Sequence, residues 1–190
     1  MHASFAGGLR GVLAALLLGL AFTQTACGPI ASLRSSAEAE AAGTAAAIVL
    51  SPEEHLRRNV AAAATTYLGA RYVYGAKGPR DFDCSGFTSH VLRSFDIALL
   101  GSSMSQAKQG RSVAPSQAQP GDIVYFANAS GRVNHVALVV ANGGDGLEVI
   151  HATTSRGVVR DNITESSYWA PRLAGARCVA DCRLGLAAAY

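Results

Sequence analysis

The sequence has little charge of either sign and no long run of basic residues. Charged residues make up 15% of the 190 residues, and the formal net charge is +3. Proteins that bind nucleic acid through its phosphates present clustered lysine and arginine side chains, so no nucleic-acid partner is expected. An intrinsically disordered protein is also excluded, because 49% of the residues are hydrophobic.

Internal repeats and metal-finger cysteine patterns are missing as well. No segment recurs with a period of roughly 20–50 residues, which excludes solenoids and propellers. The 20 glycines follow no Gly-x-y pattern, which excludes collagen. The four cysteines do not have zinc-finger spacing. A chain of 190 residues is long enough for one domain of ordinary size.

Residues 1–26 are predicted to be a signal peptide. One arginine precedes the apolar run 11–22, and this run is shorter than the about 20 apolar residues that cross a membrane as a helix. Positions 25–28 (TACG) resemble a bacterial lipobox, although the usual leucine is Gln24. This predicts export and lipidation of Cys27. An ordinary secretory signal that is cut nearby is the alternative.

The segment 27–50 is predicted to be a flexible tether that begins at the lipidated cysteine. It is rich in alanine, serine and glutamate and has no sustained apolar stripe; an alanine-rich helix is the alternative. The folded domain is expected to occupy residues 51–190. Its first helix begins at Ser51, because Pro52 follows and Glu54 stands where a capping box requires an acidic residue.

Two kinds of periodicity predict an α+β fold. Apolar residues recur at helical spacing after Ser51 and again after Asp83, and a short helix is expected at 103–106. The glycine-rich positions 142–146 predict a hairpin turn. Helices that come first and strands that follow predict helices packed on an antiparallel sheet. The predicted strands are 123–126, 135–140, 147–152, 157–160 and about 172–179.

One cysteine and two histidines are the candidate reactive groups. Cys84 lies at a predicted helix N-terminus, where amide dipoles favour a thiolate; a buried structural cysteine is the alternative. His135 and His151 are expected on one sheet face if their hairpin has no bulge and its opposed positions sum to an even number. A zinc site that includes Cys84, or two structural histidines, are alternatives. A cysteine beside two histidines also makes the set of a thiol peptidase.

Four motifs, in this order, resemble the NlpC-type cell-wall peptidase family. They are 82–87 (FDCSGF), 120–126 (PGDIVYF), 134–136 (NHV) and 149–152 (VIHA). The resemblance implies an exported cysteine peptidase with a compact papain-like core. The single domain behind a lipid anchor is most similar to the murein endopeptidase lipoproteins of Gram-negative bacteria, which implies an outer-membrane position facing the periplasm.

The resemblance also implies roles for individual residues. Tyr72 matches a tyrosine that assists the oxyanion hole. Asp83 and Ser85 match positions that in some relatives recognise a free amine on the stem peptide. The positions that match the nucleophile, the base and the residue that orients the base are Cys84, His135 and His151.

The function implied by this resemblance is hydrolysis of amide bonds in peptidoglycan stem peptides. The bond is either D-glutamyl–diaminopimelate within a stem or D-Ala–diaminopimelate in a cross-link. No cofactor is implied, and the sequence does not indicate an oligomeric state. Two alternatives are an anchored module that binds wall peptides without cleaving them, and a related amidase, acyltransferase or toxin that acts on another substrate.

Cys178 and Cys182 are the remaining cysteines of the predicted domain. An exported protein can join such residues by a disulfide. An extended strand would hold their Cα atoms about 13 Å apart, beyond disulfide reach. Pairing would therefore require a turn between them.

Overall fold

The computed structural model describes residues 50–180. The predicted signal peptide, Cys27, the tether up to residue 49, and Cys182 lie outside the described residues. The helices of the described part are α1 (Pro52–Thr65), α2 (Cys84–Arg93) and α3 (Ser103–Gln106), with 3₁₀ turns at Pro115–Gln117 and Ala170–Arg172. No helix between residues 50 and 180 has the length and apolar character needed to cross a membrane.

The start of α1 is the predicted capping box. The Ser51 hydroxyl accepts the N–H of Glu54 at 3.2 Å, and the Glu54 carboxylate accepts the N–H of Ser51 at 2.7 Å. On the inner face of the helix, the buried Arg57 donates to Asp122 at 2.8 Å. This ion pair fixes α1 against Asp122, because a buried carboxylate needs a cationic partner.

The strands form two sheets. The first is a two-stranded parallel pair of β1 (Arg71–Tyr72) and β2 (Asp81–Phe82). The second is an antiparallel sheet in the order β3-β8-β4-β5-β6-β7. Its strands are β3 (Arg111–Val113), β4 (Ile123–Ala127), β5 (Val133–Gly143), β6 (Gly146–Thr153), β7 (Gly157–Asn162) and β8 (Leu173–Cys178). All five predicted strands are present, whereas the edge strand β3 and the small parallel sheet were not predicted.

The β5–β6 hairpin contains a bulge, so the bulge-free condition stated above is not met. Next to the turn, Gly143 pairs with Gly146, a register that pairs odd positions of β5 with even positions of β6. The register shifts by one residue at Val140, and Leu138 then pairs with Ile150. Beyond the bulge, odd positions of both strands therefore share one face of the sheet.

Both faces of the antiparallel sheet are buried. Helices α1 and α2 cover one face, where Leu92 and Phe87 belong to the same apolar cluster as Leu138 and Ile150. The other face carries a second cluster built from β4, β5 and β6, against which Trp169 packs. The predicted α+β fold, with helices packed on an antiparallel sheet, is confirmed.

Candidate active site

Cys84 is the first residue of α2, at the predicted position. Asp83 caps the helix and accepts the N–H of Gly86 at 2.6 Å. A Cβ atom on Gly86 would lie 2.1 Å from the carbonyl oxygen of Ala76. The absence of a side chain at Gly86 therefore lets the preceding loop pack directly on the first turn of α2, next to Cys84.

A buried glutamine fixes the same helical turn from the other side. Helix α3 lies at the expected positions and is capped by Ser102. The Gln106 side chain at its end is completely buried. It donates to the carbonyl of Ser85 at 3.0 Å and to the hydroxyl of Ser89 at 2.9 Å. These bonds join α3 to the start of α2.

His135 and His151 are brought together on one face of the sheet. Nε2 of His135 lies 2.9 Å from Nδ1 of His151, and Nε2 of His151 lies 3.0 Å from Oδ2 of Asp161. Arg156 in turn donates to both oxygens of Asp161, at 2.9 and 2.5 Å. We call His135, His151 and Asp161 the His–His–Asp series.

The hydrogen bonds of the series determine where its protons lie. Hydrogen bonds from Arg156 and His151 hold the pKa of the Asp161 carboxyl well below its usual range. Asp161 is therefore ionised and only accepts hydrogen bonds. His151 must then donate through Nε2, which leaves Nδ1 as an acceptor. His135 consequently donates through Nε2, and its Nδ1 keeps a free lone pair. Asp161 therefore determines, through His151, that Nδ1 of His135 is unprotonated and basic.

Trp169 encloses the two histidines. Its ring stacks on His135 with centroids 4.6 Å apart and an interplanar angle of 24°, and it lies 4.9 Å from the ring of His151. His151 has no exposed surface. The indole ring thus holds the imidazole of His135 in one orientation and excludes water from His151.

Burial favours the neutral forms of Cys84 and His135. It raises the pKa of the Cys84 thiol, and the Asp83 carboxylate raises that pKa further, against the lowering effect of the backbone N–H groups of Val136, Ser85 and Cys84. Burial, followed by the charge of His151, lowers the pKa of His135 to about 3. The N–H groups at the start of the helix favour the thiolate, as expected, but desolvation outweighs them and the pKa of the thiol is raised.

Cys84 and His135 line the same cavity of about 890 Å³. The backbone N–H of Val136, the residue that follows His135, lowers the pKa of the Cys84 thiol. Direct contact between the sulfur and a ring nitrogen of His135 stays a prediction. Tyr72 lines this cavity as well, and burial and then the charge of Cys84 raise the pKa of its phenol. The role of Tyr72 at the oxyanion hole stays a prediction.

Asp83 and Ser85 both contact a lysine that the sequence did not single out. The ammonium of Lys77 lies 3.0 Å from Oδ2 of Asp83 and 3.0 Å from the hydroxyl of Ser85. It also donates to the carbonyl of Gly101 at 3.1 Å. Recognition of a substrate amine by Asp83 and Ser85 stays a prediction. Such an amine would compete with the Lys77 ammonium for the same two side chains.

The described part of the chain contains no arrangement of side chains that matches the zinc site given above as an alternative. Between residues 50 and 180, no group of three or more His, Cys, Asp or Glu side chains is placed to hold a metal ion. The facing nitrogens of His135 and His151 are hydrogen-bonded to each other.

Sequence reasoning missed Asp161 although the signal was present. Val149 pairs with Asp161 and His151 pairs with Val159, so Asp161 is a diagonal neighbour of His151 on the same face. Strand β7 was predicted to end at residue 160, one position before Asp161. Arg156 and Trp169 were also missed, because turns and 3₁₀ segments carry no periodic pattern that shows where their side chains point.

Several curated bacterial proteins are similar to this chain. Probable endopeptidase p60 of Listeria grayi is 40% identical over 114 residues, covering 60% of this chain and 21% of that protein. Gamma-DL-glutamyl hydrolase of Bacillus subtilis (strain 168) is 34% identical over 152 residues, covering 78% and 33%. Murein DD-endopeptidase MepS/Murein LD-carboxypeptidase of Escherichia coli (strain K12) is 36% identical over 113 residues, covering 58% and 56%. The matches thus cover between 21% and 56% of the length of these relatives.

The fold is also similar to a solved structure, and a family model matches the sequence. An NlpC/P60 family protein from Bacillus cereus ATCC 10987 aligns with a TM-score of 0.59 and 28% identity, over 65% of this chain and 40% of that one. The NlpC/P60 family model matches residues 69–178, a range that includes Cys84, His135 and His151. The resemblance seen in the four sequence motifs is confirmed, and this chain belongs to the NlpC/P60 family.

Proposed function

We propose that this protein is a cysteine endopeptidase that hydrolyses amide bonds of peptidoglycan stem peptides or their cross-links. The observation that carries the proposal is the His–His–Asp series, whose first member His135 lines the same cavity as Cys84. The series gives His135 a basic nitrogen in a cavity that also contains a thiol, and nucleophilic catalysis by cysteine needs such a pair. The murein endopeptidase among the curated relatives supports the choice of wall peptides as substrate.

In the proposed reaction, the Cys84 thiol transfers its proton to Nδ1 of His135 as the sulfur attacks the scissile carbonyl. Burial disfavours separate charges at rest, so the proton moves when the substrate arrives. The tetrahedral oxyanion accepts a hydrogen bond from the Tyr72 hydroxyl. The protonated His135 then donates to the leaving amine, which gives a thioacyl enzyme. His135 next activates a water that hydrolyses this intermediate.

Two bonds fit this chemistry equally well. One relative is named as a gamma-DL-glutamyl hydrolase and another as a murein DD-endopeptidase and LD-carboxypeptidase. We therefore propose either the D-glutamyl–diaminopimelate bond or the D-Ala–diaminopimelate cross-link as the target.

We also propose that the protein is exported and held at the outer membrane, facing the periplasm, by a lipid on Cys27. The lipobox-like positions 25–28 support this proposal. The mature protein should partition with membranes and carry a diacylglyceryl mass at its N-terminus. Cys27→Ala protein should stay unprocessed or become soluble. A mature N-terminus downstream of Cys27 would reject the anchor and leave the enzyme proposal intact.

The enzyme proposal is tested with purified protein and intact sacculi. Wild-type protein should release muropeptides, and their masses identify the bond that is cut. Cys84→Ser protein should release none while its melting temperature stays close to that of the wild type, because oxygen replaces sulfur with little change in volume. Equal release by both proteins would reject cysteine catalysis. Binding to sacculi without release by the wild type would favour the non-catalytic module.

A further inference from the structure

The ammonium of Lys77 is held by four polar contacts in a groove next to Cys84. Its nitrogen lies 3.1 and 3.0 Å from the two oxygens of Asp83, 3.0 Å from the Ser85 hydroxyl and 3.1 Å from the carbonyl of Gly101. An ammonium group has three N–H donors and no acceptor. A carboxylate, a hydroxyl and a carbonyl are therefore enough to use all the donors of Lys77.

The side chain of Lys77 is 45% exposed, and the backbone around it holds its ammonium against Asp83. The N–H of Asp83 donates to Ala76 at 2.9 Å, and Lys77 itself forms a β-bridge with Phe82. The same loop packs on Gly86, where a Cβ atom would lie 3.0 Å from the Cα atom of Lys77. The backbone on either side of the lysine is thus tied to the start of α2.

Asp83 also needs a cation at this position. It is 8% exposed, and Oδ1 already accepts from the N–H of Gly86 and the hydroxyl of Ser85. Burying a carboxylate without a charged partner is costly. Lys77 is the residue that satisfies Oδ2.

The Lys77 site lies within reach of a bound peptide. Asp83, Ser85 and Gly101 line a groove of about 500 Å³ together with Cys84 and Tyr72. These last two residues also line the larger cavity that contains His135. A peptide whose scissile carbonyl is placed at Cys84 therefore has one arm in the groove that Lys77 enters.

We propose that Lys77 fills, from within the protein, an ammonium site of this groove, and that the groove consequently prefers a peptide arm that ends in a neutral amide, such as an acylated amino end, to an arm that ends in a free ammonium group. This inference rests on the proposed peptidase function and specifies its substrate class. A second ammonium would have to displace Lys77 from three acceptors or lie beside it, where like charges repel. A neutral amide at the same end of the peptide meets neither obstacle.

Two substrates that differ in one group test the inference. A cross-linked dimer of stem peptides contains both candidate bonds, and it can be made with both amino ends free or both acetylated. Wild-type protein should cleave the acetylated dimer with a kcat/KM at least about tenfold higher, the ratio that corresponds to about 1.4 kcal/mol. Equal rates, or a preference for the free amine, would overturn the inference while leaving the peptidase function intact.

Lysine variants show whether the preference comes from this side chain. Lys77→Met should shift the kcat/KM ratio at least about tenfold towards the free-amine dimer, because Asp83 loses its internal partner. Lys108→Met is the matched control, since Lys108 is the other lysine of the sequence and is exposed; its ratio should equal that of the wild type. An unchanged ratio in well-folded Lys77→Met protein would also overturn the inference.

Binding separates this inference from the catalytic proposal. Calorimetric titration of Cys84→Ser protein with the two dimers requires no turnover, and the acetylated dimer should bind at least about tenfold more tightly. If wild-type protein cleaves neither dimer but Cys84→Ser protein shows this preference, the catalytic proposal fails and the Lys77 assignment stands. If Cys84→Ser protein binds both dimers equally, or binds neither, the assignment falls. The wild-type and Cys84→Ser measurements do not depend on the folding of Lys77→Met protein.

Discussion

Nε2 of His151 lies 3.0 Å from the carboxylate of Asp161, and this contact sets the tautomer of a second histidine. Because Asp161 only accepts, His151 donates to it and presents an unprotonated Nδ1 to His135, 2.9 Å away. Asp161 therefore acts on the candidate base through an intervening imidazole. A neutral histidine supplies the orientation, and the carboxylate behind it supplies the negative charge.

Asp161→Asn should lower turnover without removing the side chain from the series. An amide can donate to Nε2 of His151, which would reverse both tautomers and place a proton on the nitrogen of His135 that must act as base. We expect kcat to fall at least about tenfold, and by less than the roughly 10⁴-fold seen when the carboxylate contacts the base directly. Muropeptide release under substrate saturation measures the change.

The matched control for that substitution is Asp145→Asn, at an exposed position in the β5–β6 turn. It makes the same chemical change away from the cavity and should keep wild-type kcat. Wild-type activity in Asp161→Asn protein would mean that the tautomer of His135 is not set by this carboxylate.

His135 and His151 should affect the reactivity of Cys84 differently. His135→Ala removes the group that takes the thiol proton, so alkylation by iodoacetamide at neutral pH should slow and its pH profile should move upward. His151→Ala leaves His135 stacked on Trp169, so alkylation should persist while turnover falls. Rates of alkylation across pH distinguish the two variants.

His55→Ala serves as the control in the alkylation experiment, because His55 is exposed on α1. Its pH profile should match that of the wild type. If His151→Ala raises the apparent thiol pKa as much as His135→Ala does, the assignment of base and orienting residue is reversed or wrong.

Local signals predicted the elements that hold Cys84. The caps at Ser51 and Asp83 lie within three residues of the groups that they satisfy, so a short stretch of sequence contains the whole interaction. Strand alternation also predicted that His135 and His151 would share a face. That outcome depends on the bulge at Val140, which the sequence pattern did not reveal.

Tertiary contacts account for what the sequence did not predict. Trp169 reaches His135 across 34 positions of sequence from a segment without periodicity, and Lys77 meets Gly101 across 24 positions. Such contacts depend on how loops cross the ends of helices and strands. Asp161 was within reach of a sequence argument, since it required only that β7 extend past residue 160.

The buried histidines should make the protein less stable in acid. Burial lowers the pKa of His135 from 6.5 to about 3 and also lowers that of His151. Below pH 6.5 the unfolded chain takes up protons that the folded protein does not, so the free energy of unfolding decreases as the pH falls towards 3. Each such group contributes up to about 1.4 kcal/mol per pH unit. The low pKa of Asp161 adds a loss of the same sign below about pH 4.

Chemical denaturation at several pH values measures this slope. Wild-type protein should lose stability between pH 6.5 and 4, and His135→Gln protein should lose less, because one of the titrating groups is gone. His55→Ala should follow the wild type, since His55 is exposed. An equal slope in wild-type and His135→Gln proteins would show that His135 takes up its proton equally in the folded and unfolded states.

Gly86→Ala tests how closely the loop before α2 must approach the helix. The new Cβ atom would lie 2.1 Å from the carbonyl oxygen of Ala76, a backbone atom that cannot rotate away. Moving it breaks the hydrogen bond from the N–H of Asp83 to Ala76 and displaces Lys77 from Asp83. We expect a loss of about 1–3 kcal/mol in the free energy of unfolding, as for other overpacked sites, together with reduced muropeptide release. Urea denaturation measures the first effect. Gly144→Ala is the control, because nothing lies within 4 Å of its Cβ position; equal stability of the two variants would mean that the loop yields without cost.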